Sequence, residues 1–244
     1  MNDKVILITG GIQGIGGAAA QICAERGARV IAVDINADKG EAFASSMRSR
    51  GHDVQFYRLD VRDPAAVEAV FAQVQERYGR LDVLISAAGV LEGALLQPEE
   101  FPVETFDFVM DVNVKGSFLC AKYATPLLAA SAKGVIILVA SGAGVIGGSS
   151  SIAYGTSKGA VNGLGMTLEG HLAPRGIRVN VVCPGSLATE LKLNQMRAAA
   201  EYQGQPFDPA EAAKRLGDPM GVGKLLAFLA SDDAEYVKRN MFTR

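Results

Sequence analysis

In the run Ala153-Tyr154-Gly155-Thr156-Ser157-Lys158, four positions separate Tyr154 from Lys158. A helix there would set a phenol and an ammonium group one turn apart on the same face. A tyrosine with its ordinary pKa of about 10 exchanges protons poorly at neutral pH, so general acid-base chemistry needs the phenolate stabilised. Lowering that pKa by about three units takes about 4 kcal/mol. One positive charge about 4 Å away, at an effective dielectric of about 20, supplies an energy of that size. The pair therefore predicts a phenol activated by its lysine. The same spacing also arises as an ordinary contact on a helix surface, so its meaning depends on what accompanies it. A short way upstream, Ser141-Gly142-Ala143-Gly144 follows the apolar run 134–140.

The elements around these residues alternate. Short β-branched and apolar runs predict strands at 4–9, 29–33, 54–59, 82–86, 134–140 and 178–183, with a last short one at 241–244. Helical patterns lie between them, including one long stretch over 103–130 that carries Asn113 among apolar neighbours. Asp63-Pro64, Asp208-Pro209 and Asp218-Pro219 read as helix starts, an acid at the cap and proline at the first helical position. Strands and helices alternating along one chain, with no repeat or proline-rich linker, predict a single doubly wound α/β domain over 1–244 with a parallel sheet. Ligands in such sheets bind beyond the carboxyl ends of the strands, where Gly10, Asp34, Asp60, Gly89, Ser141 and Pro184 all fall.

The first strand runs into Gly10-Gly11-Ile12-Gln13-Gly14-Ile15-Gly16 and then an alanine-rich helix. Glycines let a backbone approach a pyrophosphate closely, and a helix N-terminus directs free N–H groups toward it. The second strand ends in Asp34, at the distance where a carboxylate reads the adenosine ribose of a dinucleotide. The same charge opposes a 2'-phosphate by about 4 kcal/mol per unit charge at 4 Å and a dielectric of about 20. Ile35 and Gln13 offer no cation to offset it, so the expected cofactor is NAD and not NADP. The competing reading makes Asp34 the cap of a helix over 37–50.

Composition narrows the function classes. A formal charge of -2 over 244 residues provides no basic field for nucleic acid, and no run of like charges marks a membrane surface. The apolar runs are too short to span a bilayer, and Met1-Asn2-Asp3-Lys4 leads straight into a strand, so a cytoplasmic protein is expected. Cys23, Cys120 and Cys183 are widely spaced and read as buried thiols, while His52 and His171 are too few for a metal site; no metal is expected.

Taken together, these motifs resemble the short-chain dehydrogenase/reductase family along nearly the whole chain. Thr9-Gly10-Gly11-Ile12-Gln13-Gly14-Ile15-Gly16 is similar to its cofactor loop, and Ser86-Ala87-Ala88-Gly89 to its Asn-x-Ala-Gly element with serine in place of asparagine. Asn113, Ser141, Tyr154 and Lys158 match its catalytic tetrad, and Arg178-Val179-Asn180, Pro184-Gly185 and Thr189 its later elements. The Asp-Gly-Gly ending common in the family is absent.

The resemblance implies a Rossmann-type domain with a seven-stranded parallel sheet; the long segment over about 187–217 reads either as a small helical substrate lid or as a packed helical pair. It implies Tyr154 as the acid-base, Ser141 as the group that holds the substrate oxygen with it, and Lys158 as both the group that lowers the Tyr154 pKa and a ribose ligand. Asn113 would anchor a water in a proton relay. Cofactor contacts are implied at Gly10, Gln13, Gly14, Ile15, Asp34, Asp60, Val61, Ala88, Gly89, Tyr154, Lys158, Pro184, Leu187 and Thr189. Gln13 stands where NADP-preferring relatives often carry a basic residue, which again favours NAD. The implied activity is an NAD-dependent alcohol dehydrogenase or ketone reductase acting on a small-molecule secondary alcohol or ketone, polar or bulky, in a homodimer or homotetramer. The alternatives are an NADP-linked 3-oxoacyl or general carbonyl reductase, and an inactive nucleotide-sensing protein. The substrate pocket is expected along Leu91-Glu92, 145–151 and the 187–217 segment.

Overall fold

Two interior strands are aliphatic along almost their full length: β1 (Val5–Thr9) reads Val-Ile-Leu-Ile-Thr, and β5 (Val135–Val139) reads Val-Ile-Ile-Leu-Val, with every residue of both buried. Strands apolar on both faces need cover on both, which a parallel sheet with crossover helices provides. The computed structural model describes residues 1–243. In it β1, β2 (Arg29–Asp34), β3 (Val54–Arg58), β4 (Val83–Ser86), β5, β6 (Arg178–Cys183) and β7 (Arg239–Phe242) form one seven-stranded sheet. The order is β3-β2-β1-β4-β5-β6-β7, and every pairing is parallel.

The connecting helices are α1 (Gly14–Glu25), α2 (Ala37–Ser49), α3 (Pro64–Tyr78), α4 (Val103–Met110), α5 (Gly116–Ala129), α6 (Ile152–Leu172), α7 (Glu190–Tyr202), α8 (Pro209–Lys214) and α9 (Pro219–Leu229). Ile22 of α1, Met47 of α2 and Leu226 of α9 pack on one face of the sheet with Ile6, Ile8 and Val83. Phe71 of α3, Leu119 of α5 and Val161 of α6 cover the other face with Leu7, Leu84 and Ile136.

Two expectations change. The stretch read as one helix over 103–130 is α4 and α5 joined by a π-turn over Asp111–Lys115, which holds Asn113. Such a turn inserts an extra residue into the helical ladder and re-aims the groups within it. The last strand occupies 239–242, two residues earlier than expected; Arg244 lies outside the described residues. The three Asp-Pro starts behave as read, with Asp63, Asp208 and Asp218 capping α3, α8 and α9. The cap of α2 is Asn36, which accepts from the Lys39 N–H, so Asp34 is not the helix cap.

β1 pairs with β2 on one side and β4 on the other, so the chain departs in opposite directions from it and leaves a crevice at the strand ends. Thr9 clamps that crevice, its hydroxyl oxygen accepting from the Ala87 and Ala88 N–H groups at 3.1 Å each. Gly10, at φ 62°, lets the backbones meet there: a Cβ on it would lie 3.0 Å from the Ala88 main chain. Beyond β6, the segment carrying α7 and α8 leaves and returns at one neck. There the Ala188 N–H donates to the Gly217 carbonyl at 2.8 Å, and the Gly217 N–H to Ser186 at 3.0 Å.

Helix α6 rests on β6 through Gly165, where a Cβ would overlap a Val181 methyl and reach Leu138 at 3.4 Å. Valine is stiff at χ1 and cannot give way easily. Gly165→Ala should therefore cost about 1–3 kcal/mol in urea unfolding. Gly163→Ala, on the same helix with nothing within 4 Å of the new methyl, should be neutral or stabilising by about 0.5–1 kcal/mol. Equal stability of the two variants would refute this account of how α6 is seated.

Candidate functional site

A cavity of about 850 Å³ runs along the carboxyl ends of the strands. Ser141, Tyr154 and Lys158 line one region of it. Gly10, Gln13, Gly14, Ile15, Asp34, Asp60 and Val61 line it too, as do Ala88, Gly89, Pro184, Leu187 and Thr189. Of the catalytic and cofactor residues expected from the sequence, Asn113 alone stands outside the lining; it is buried behind the wall.

Glycine contacts bring Ser141 to Tyr154. Ser141 follows β5, and the Gly142 N–H donates to the Pro184 carbonyl at 2.9 Å, tying the exits of β5 and β6 together. The loop then lies on the backbone of α6. A Cβ on Gly144, at φ 78°, would run into the Gly155 carbonyl, and one on Gly159 would lie 2.8 Å from the Gly144 carbonyl. This close approach was not read from the sequence, although the glycines at 144, 155 and 159 are its signal. Ser151 caps α6, accepting from the Tyr154 N–H at 3.2 Å and donating to the Glu92 carbonyl at 2.6 Å.

The electrostatics of the pair differ from the sequence expectation. Lys158 Nζ is buried, donates to the Val139 carbonyl at 2.9 Å and stands 5.6 Å from the centroid of the Tyr154 ring. Burial pulls the Lys158 ammonium down to about 8, with Cys183 opposing. Burial also pushes the Tyr154 phenol above its ordinary range, with the Ser141 hydroxyl opposing. The expected lowering of the Tyr154 pKa by Lys158 is therefore corrected for the protein alone: desolvation disfavours both charged forms, and the ammonium is engaged by a carbonyl.

Asn113 makes its contacts from the π-turn. Its Nδ2 donates to the Val90 carbonyl at 3.0 Å and to Ser157 Oγ at 2.9 Å, and its Oδ1 accepts from the Val90 N–H at 2.8 Å. The side chain thus joins the chain beyond β4 to α6. Its main-chain carbonyl accepts from Ser117 Oγ at 2.7 Å, and Ser86 Oγ donates to Ser117 Oγ at 3.1 Å. Ser86 braces the exit of β4 through this serine relay.

The far region fits a dinucleotide. No side chain caps α1, whose first residues line the cavity, and a Cβ on Gly16 would overlap the Gly10 carbonyl. This is a glycine cradle with N–H groups available to a phosphate. Asp34 ends β2, accepts from the Asn36 N–H at 3.1 Å and is pushed up by burial. The expectation that no cation stands near it is corrected. Lys39 Nζ lies 3.3 Å from Gln13 Oε1 and 3.0 Å from Glu190 Oε2, and it opposes the rise in the Asp34 pKa. Lys39 reaches that position because α2 faces α7 across the groove, a juxtaposition absent from the local sequence. Asp60 is held low by Arg62, 2.6 Å away, and Arg62 lies over the Phe108 ring. Arg62 and Phe108 both line the cavity and were not singled out in the sequence.

On the substrate side, Leu91 and residues 146–150 line the cavity, joined by Glu190, Leu191 and Lys192 of α7. Glu92, Val145 and Ser151, expected there, do not line it. Cys23 and Cys120 are buried thiols pushed up to about 12. Among the described residues no group of three His, Cys, Asp or Glu side chains could hold a metal ion, and no helix is long and apolar enough to cross a membrane.

Comparison with known proteins agrees with the fold. A family model described as short chain dehydrogenase matches residues 4–200. The oxidoreductase UcpA of Salmonella typhimurium is 38% identical over 248 residues, spanning 97% of this chain and 91% of the relative. A 3beta-hydroxysteroid dehydrogenase of Mediterraneibacter gnavus is 33% identical over 255 residues, with 97% and 91% covered. The crystal structure of a levodione reductase superposes with a TM-score of 0.90 at 31% identity, covering 99% of this chain and 96% of the other.

The buried lysine has a consequence for stability. Its folded pKa of about 8 lies below the ordinary lysine value of 10.5, so below pH 8 the folded state carries the full cost of a buried ammonium, about 3 kcal/mol. Between about pH 8 and 10.5 the unfolded chain binds the proton and the folded one does not, so this cost disappears as pH rises. Lys158→Met should gain stability over the parent at pH 7 and lose that advantage by about pH 10, by denaturant unfolding of the cofactor-free protein. A difference independent of pH would refute the assignment.

Proposed function

Because the chain belongs to the short-chain dehydrogenase family, we propose that this oxidoreductase uses NAD(H) to interconvert a secondary alcohol and its ketone. The observation that carries the reading is the meeting of Ser141, Tyr154 and Lys158 in one cavity that also exposes the glycine turn and Asp34. When bound, the nicotinamide supplies the carbon that accepts or gives the hydride. In oxidation the Tyr154 oxygen takes the alcohol proton, and in reduction it returns that proton to the carbonyl oxygen. Ser141 donates a hydrogen bond to the same oxygen and stabilises its developing charge. Lys158, with Gly89 against its Nζ, holds the ribose side of the cofactor. Asn113 acts as a positioning residue through Val90 and Ser157. The names of two relatives, a levodione reductase and a 3beta-hydroxysteroid dehydrogenase, describe reduction and dehydrogenation and support chemistry of this kind in either direction.

NAD is favoured by Asp34, whose carboxylate would accept from ribose hydroxyls and repel a 2'-phosphate. Lys39 does not cancel that charge, because Glu190 and Gln13 engage its ammonium. The helical segment with its neck at Leu187 and Gly217 is suited to act as a lid. Exposed Phe118 and Met166 on α5 and α6 support assembly into a homodimer or homotetramer.

Tyr154→Phe should lower turnover about 10²- to 10⁴-fold while leaving the NADH dissociation constant within about twofold. Because burial disfavours the phenolate, alcohol oxidation by the parent should climb through the alkaline range. Near-parental turnover in the variant, followed at the NADH absorbance band over a panel of secondary alcohols, would remove Tyr154 from this role. Asp34→Arg should shift the kcat/KM ratio toward NADP by at least about tenfold, the worth of about 1.4 kcal/mol. An unchanged ratio would sink the cofactor reading.

A further inference from the structure

Among the charged groups that line the cavity, Asp60, Arg62 and Glu190 are ion-paired, whereas Asp34, Lys158 and Lys192 are not. Asp60 pairs with Arg62, Glu190 pairs with Lys39, and Lys158 is held by the Val139 carbonyl. Lys192 is different. It is half-buried in the cavity wall, and its Nζ donates to Gln195 Oε1 at 2.8 Å. Gln195 is itself only 8% exposed, so it is a fixed partner. Among the described residues no carboxylate pairs with Lys192. An amide oxygen satisfies one proton of an ammonium and none of its charge. A partly desolvated cation held this way lacks a counter-ion; burial already lowers its pKa.

The helix gives the direction. Thr189 caps α7 and sits over the glycine turn, its methyl 3.5 Å from where a Gly14 Cβ would stand. Glu190 reaches back to Lys39 at the Asp34 end. At about 100° per residue, Lys192 stands about 200° further round α7, and both residues line the cavity. Leu91, Ile146 and Leu191 supply apolar wall to the same cavity.

We propose that Lys192, oriented by Gln195, is a substrate-binding residue that takes a carboxylate, so that the substrate is an aliphatic or aromatic hydroxy acid and its oxo acid. This rests on the alcohol–ketone reading of the same site. The other oxyanion within reach of α7 is the pyrophosphate of the dinucleotide, and the experiment separates the two.

The full-length protein saturated with NADH is titrated with butyrate, hexanoate and benzoate, each against its neutral amide, and binding is read by NADH fluorescence without turnover. At least one carboxylate should bind about tenfold or more tightly than its amide. Lys192→Met should remove the difference, Lys192→Arg should keep it, and NADH affinity should stay within about twofold in both. No preference for carboxylate in the parent protein, or a preference that survives Lys192→Met, would overturn the proposal. So would a tenfold loss of NADH affinity with carboxylate binding unchanged, which would assign the lysine to the pyrophosphate. In parallel, NADH formation is followed with 3-hydroxybutyrate, 4-hydroxypentanoate and mandelate against their amides. A preference for the acids that vanishes in Lys192→Met supports the proposal. Carboxylate discrimination without turnover of any alcohol would leave the anion site standing and overturn the reading of the reaction.

Discussion

A single buried carboxamide holds the reactive region together. Asn113 bonds to both main-chain groups of Val90 and to Ser157, and so locks the chain beyond β4 to the helix that carries Tyr154 and Lys158. Apolar packing at Gly165 seats that helix on β6, and the bonds of Asn113 tie it to the chain beyond β4. Breaking such a bond in the interior leaves unsatisfied donors worth about 1–3 kcal/mol each. The π-turn makes the arrangement possible, since an unbroken helix would present this side chain at a different angle. Its main-chain carbonyl is occupied as well, by the Ser117 hydroxyl that Ser86 supports.

Around this joint the site is built by subtraction. Glycines at 10, 16, 144, 155 and 159 stand where a methyl group would strike backbone or the facing loop. Their absent side chains let the Ser141 loop lie on α6 and let the glycine turn face the cavity. The same compactness excludes water from the lysine and leaves the tyrosine half-buried on the cavity wall. In the protein alone both are therefore biased toward their neutral forms. The phenol is partly desolvated before it is activated, so a bound anion or polarised ligand has more influence on it than it would in water.

The helical segment beyond β6 contributes opposite charges to the cavity wall. Glu190 is matched by Lys39 across the groove, which ties α7 to α2 through a half-exposed pair of modest strength. Lys192 is matched only by an amide.

Much of this was legible in the chain. The parallel α/β architecture, the strand positions and the Asp-Pro helix starts follow from local rules of period, propensity and capping. The motif residues fall at strand ends because their spacing places them there. Four things were not legible. The π-turn interrupts a stretch whose apolar pattern continues through it. The start of the last strand depends on pairing with β6. Lys39 meets Gln13 and Glu190 only because α2 and α7 face each other. The protonation states of Tyr154 and Lys158 follow from burial and from a carbonyl of Val139, nineteen positions away. Sequence by itself determined which groups could do chemistry and in what order the elements carry them, because those depend on neighbours along the chain. Tertiary structure decided which charges are paired, which are desolvated and which side chains face the cavity, because desolvation and Coulomb energy depend on distance in space.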